Sequence, residues 1–117
     1  MAHLLALLLI AFSAFAADVT GTWRGTLKPE GRDATPAVLV LQQEGSTITG
    51  TAGENDEDRQ PISRGTIKDD VVTFEVAVGE TVMKFDLKLT GKELTGGVVR
   101  ERAGQQLKAT LQVQRTK

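Results

Sequence analysis

Cysteine and tyrosine are absent from the 117 residues, and there is one histidine, one tryptophan and three prolines. Without cysteine there is no disulfide scaffold, thiolate metal site or thiol nucleophile. An excess of one charge is lacking too. Fourteen Lys+Arg against 15 Asp+Glu leave a net charge of −1, so neither nucleic acid nor an anionic membrane finds a basic footprint. The lone histidine, His3, lies in a segment expected to be removed. The rest of the chain has no imidazole for a Ser-His-Asp arrangement or a His-based zinc site. No G-x-G-x-x-G or P-loop fingerprint occurs. At this length a single domain is expected.

Residues 1–17, MAHLLALLLIAFSAFAA, carry no charged side chain, and 4–15 are almost wholly apolar. That run falls short of the roughly 20 residues a membrane span needs. It ends in Ala14-Phe15-Ala16, the small-x-small pattern that predicts signal-peptidase cleavage after Ala16. The chain is therefore read as a signal peptide over 1–16 and one domain over 17–117, secreted or periplasmic. The alternative is an uncleaved anchor or a buried N-terminal helix, since the leader offers only its α-amine and His3 as positive groups. No cysteine follows the apolar run, which excludes a lipid-modified lipoprotein.

Past residue 17 the apolar residues alternate. Trp23 and Leu27 share one face of GTWRGTL; Met83, Phe85, Leu87 and Leu89 share one face of MKFDLKL; Leu107, Ala109, Leu111 and Val113 repeat the pattern. A period of two is a half-buried strand. Turn residues divide the chain into eight strand candidates, 20–28, 37–44, 46–52, 61–68, 71–78, 81–90, 93–101 and 105–115. Links this short force antiparallel neighbours. An eight-stranded up-and-down meander with one dry face closes on itself and hides its edges. A two-sheet sandwich is the alternative, and it needs a long return connection.

A weak repeat fits this layout. VLVLQQEGSTITG from Val38 aligns without gaps on KFDLKLTGKELTG from Lys84, either as two related halves or as convergent hairpin chemistry. Its phase places Leu39 and Leu41 inward with Phe85 and Leu87. The remaining expected interior is Trp23, Leu27, Ile48, Phe74, Val76, Met83, Leu89, Leu94, Val98, Leu107, Leu111 and Val113. Val40, Val71 and Val99 face outward. Glycines inside strands (Gly25, Gly50, Gly65, Gly96, Gly97) are expected to mark bends and close backbone approaches.

Thr20-Gly21-Thr22-Trp23 resembles the first strand of lipocalins and avidins, and Ile48-Thr49-Gly50-Thr51 resembles the small-residue strand of avidin-like barrels. Together they resemble the calycin-type barrels. The resemblance implies a β-barrel whose early Trp closes one end with a late Arg packed on it, Arg115 or Arg100. It further implies ligand binding at a mouth formed by Trp23, Arg100 and Arg115. The sequence departs from the avidins in having no further Trp and no Tyr, which removes a biotin-type aromatic box.

Chemistry is bounded mainly by exclusion. Ser46 and Ser63 are the only serines past the leader, and acid–base work would fall to carboxylates alone. No two carboxylates share a predicted inward strand face, so the protein is read as non-enzymatic, with no cofactor and no metal. The polar run 53–60, holding Glu54, Asn55, Asp56, Glu57 and Asp58, lacks the D-x-[DN]-x-[DN]-G spacing of a calcium loop and reads as a solvated loop. A dry void of about 300 Å³ would cost roughly 7 kcal/mol, so a mostly filled core with a shallow mouth is expected. Three functions stay open: a binding module for a small or extended ligand, a protein-interaction module or inhibitor using loops 53–60 or 100–105, and a carboxylate-only hydrolase. No nucleic acid and no membrane insertion after cleavage are expected.

Overall fold

The computed structural model describes residues 18–116; the expected signal peptide and its cleavage point lie outside the described residues. Eight strands follow one another: β1 (Gly21–Pro29), β2 (Thr35–Glu44), β3 (Thr47–Gly53), β4 (Arg59–Lys68), β5 (Val71–Val78), β6 (Thr81–Thr90), β7 (Glu93–Arg102) and β8 (Gln105–Arg115). Each pairs antiparallel with the next, and β1 pairs with β8, closing an up-and-down barrel. This is the expected meander and not the sandwich. Strand ends fall within two residues of those read from the turn signals.

The repeat corresponds to two hairpins, β2–β3 and β6–β7, set half a barrel apart. Their turns place Gly45 and Gly91 at φ 62° and 63°, a conformation that L side chains avoid. Two strand glycines are equivalent as well. A Cβ on Gly50 would lie 1.9 Å from the Val40 carbonyl oxygen, and one on Gly96 would lie 2.1 Å from that of Asp86. Val40 and Asp86 are themselves aligned partners in the repeat. The strands of each hairpin press together there because no side chain holds them apart, which lets the sheet coil.

The alternating residues form the core. Trp23, Leu39, Leu41, Ile48, Leu87, Leu94, Leu111 and Val113 are buried, while Leu27, Met83 and Leu89 pack against them half-buried. Phe74 and Phe85 face each other in register and stack with centroids 4.5 Å apart, a contact worth about 0.5–1.5 kcal/mol beyond its area. Ala37, Ala52 and Val72, in phase with their strand neighbours, join the core.

One expected interior residue is overturned. Leu107 has the inward phase but is 51% exposed. β1 ends at Pro29 opposite Ala109, so β8 runs past it with only β7 beside it. Another departure lies in β4, which the interior list omitted. Ile62 and Ile67 are five residues apart and cannot share a face of a regular strand. Yet they pair with Val76 and Val72, both inward. The register shifts between Ser63 and Thr66, where Arg64 takes φ 54°. This bulge adds one residue and returns Ile67 to the interior.

Candidate functional site

The two ends of the barrel differ. At the end where β1 begins and β8 finishes, the segment preceding β1 folds across the opening. Val19 is wholly buried there. Its backbone N–H donates to Gln43 Oε1 at 3.0 Å, and its carbonyl accepts from Trp23 Nε1 at 2.9 Å. The Arg115 guanidinium lies 4.6 Å from the centre of the Trp23 ring. It also donates to the Thr20 carbonyl at 2.6 Å and to that of Asp18. Register explains the meeting, because Trp23 and Arg115 are directly paired. The Asp18 carboxyl is held below its ordinary value, first by the Thr20 backbone N–H, then by the Thr20 hydroxyl, with Arg115 adding a smaller attraction.

The expected mouth of Trp23, Arg100 and Arg115 is therefore divided. Trp23 and Arg115 come together and seal one end. Arg100, paired with Met83 and Leu107, stands at the other. Of the two arginines proposed to pack on the indole, Arg115 is the one that does.

The second end is open. A cavity of about 250 Å³ descends from it to a floor of Leu39, Phe85 and Leu111. Ala37, Ala52 and Val76 wall it, and Glu54, Asp58 and Gln60 line its acidic side. The small side chains of Ala37 and Ala52 leave the space unfilled. The expected filled core thus holds toward the sealed end and fails here. Because it opens at the mouth, the space is accessible to water and to a ligand. Val78, 48% exposed, forms part of the rim.

A second hollow of about 320 Å³ adjoins the first, sharing Leu27 and Met83 with it. Val98, Leu107 and Ala109 line it together with three cations, Arg32, Arg100 and Lys108, and one carboxylate, Glu30. Leu27 and Met83 thus stand between an acidic and a basic half of the same mouth.

Loop 53–60 is built locally. Asn55 Oδ1 accepts from the backbone N–H groups of Glu57 and Asp58, each at 2.8 Å, the side-chain-to-backbone turn that Asn favours. Asp56 pairs with Arg24 at 2.9 Å on the outer face. Arg24 is the register partner of Val38, an outward-phased valine that is only 4% exposed. Glu54 and Asp58 meet instead at the cavity. Two carboxylates do therefore share a site, delivered by a loop that strand phasing does not describe. Among the described residues no group of three or more His, Cys, Asp or Glu is arranged to hold a metal ion.

Ala37, Ala52, Gln60 and Val78 were missed as functional positions. Ala37 and Ala52 carried a signal, since each shares the phase of a large inward neighbour while being too small to fill its place. No protein family, curated protein or solved structure matches this chain, so the calycin resemblance rests on the residues quoted for it.

Proposed function

We propose that the protein is a secreted or periplasmic, non-enzymatic binding module of calycin type. Its open end takes a small apolar molecule or the apolar part of a larger one. The observation that carries this reading is the asymmetry of the barrel, sealed by Val19, Trp23 and Arg115 and hollow above Leu39, Phe85 and Leu111. An apolar pocket with a few polar groups at its edge is the usual form of a small-molecule site. The outer face supports an aqueous setting: Lys84, Asp86 and Lys88 point outward and are exposed, whereas a membrane barrel carries an apolar outer band.

The test is uptake of the neutral probe N-phenyl-naphthylamine by the processed protein, followed by its emission. Wild type should enhance the emission. Ala52→Leu and Ala37→Leu, which fill the cavity, should abolish the enhancement while leaving the melting temperature unchanged or raised, as cavity filling commonly does. Absence of uptake by wild type, or undiminished uptake by both variants, would remove the proposal. Trp23 emission is unsuited as a reporter because the indole is buried at the opposite end.

A further inference from the structure

We infer that the open end prefers a cationic amphiphile, its apolar body in the 250 Å³ cavity and its positive head between Glu54 and Asp58. This rests on the ligand-holding reading of that end and adds the sign of the head group. Of the two hollows at this mouth, the first reaches deeper into the core, touching the buried Leu39, Phe85 and Leu111. Its lining holds two carboxylates and no Lys or Arg. The cations of the mouth, Arg32, Arg100 and Lys108, border the other hollow. Only Val98 of that hollow's lining is fully buried.

The charge division has a local origin. The Asn55 turn sends Asp56 outward to Arg24 and leaves Glu54 and Asp58 at the cavity. Neither of these two carboxylates is in an ion pair among the described residues. A cation there meets unneutralised negative charge beside a low-dielectric wall, where attraction exceeds its value in open water. An anion in the same cavity meets repulsion. The basic half lies beyond Leu27 and Met83, so it disfavours a cation outside the cavity and helps fix the orientation of the head.

Three probes of one tail length separate the terms: octylammonium, octanol and octanoate, titrated by calorimetry with methyl NMR shifts at Ala37, Ala52 and Met83. Octylammonium should bind about tenfold tighter than octanoate at low ionic strength, with octanol between them, and the gap should shrink as salt rises. Glu54→Gln with Asp58→Asn should bring the three probes to within about twofold of one another; both residues are exposed, so folding is expected to persist. Equal binding of the three by wild type would end the charge inference and leave the apolar site standing. Tighter octanoate binding, with shifts centred on Val98 and Leu107, would also overturn it. No binding of any probe would remove both readings together.

Discussion

Replacing Arg115 by Met removes the guanidinium that holds the sealed end shut, and its effect can be worked from the contacts. The cation over the indole contributes about 0.5–2 kcal/mol. Its bonds to the Thr20 and Asp18 carbonyls contribute about 0.5–1.5 kcal/mol each at most, and less here because they are exposed to solvent. The thioether returns part of the packing by resting on the ring. The net loss should be about 2 kcal/mol, or on the order of 10 °C in melting temperature for a domain of this size. The loss should also be local. Without the clasp, residues 18–20 lift from the indole, so Trp23 emission should shift to the red and become quenchable by acrylamide below the melting transition. Arg115→Lys keeps the charge but not the fork that spans two carbonyls, and it should fall between wild type and Met. A Met variant that melts within about 2 °C of wild type, with an unshifted and unquenched Trp23, would refute the account of the seal.

Glycine substitutions should separate sharply by position. A Cβ on Gly25 would lie 1.9 Å from the Gln112 carbonyl oxygen, whereas one on Gly97 would meet nothing within 4 Å. Gly25→Ala should therefore destabilise by about 3 kcal/mol or more, and Gly97→Ala should be neutral or stabilising by up to about 1 kcal/mol, read by urea unfolding. Leu107→Ser, at a half-exposed rim position, should change stability by less than about 1 kcal/mol, while Leu111→Ala in the core should cost about 2–5 kcal/mol. The lowered Asp18 carboxyl means that the folded chain favours the ionised form. Its contribution is fully present above the unfolded value of about 3.9. It is lost as pH falls through the lower folded value, so Asp18→Asn should flatten the acid limb of a pH titration of Trp23 emission.

The strand faces were legible because a period of two is a local property. Met83, Phe85, Leu87 and Leu89 declare their face wherever they lie, and Gly45 and Gly91 declare their turns by the backbone angles that they permit. Leu107 escaped this logic, since its exposure depends on where β1 stops. The pair Ile62 and Ile67 escaped it too, because a single left-handed residue at Arg64 resets the alternation. Of the candidate site, the pairing of Trp23 with Arg115 was foreshadowed by the resemblance, and the cavity was not.

The amino-acid sequence alone determined that this chain makes antiparallel strands, which side of most of them is dry, and that it has no thiol for a disulfide or a nucleophile. Only the tertiary structure decided which end of the barrel is shut and which is hollow, and that Arg100 and Arg115 stand at opposite ends. The reason is that side-chain alternation reports a direction perpendicular to the sheet. Closure, register and cavity volume depend on distances along and across the barrel, which exist only once strands remote in sequence have paired.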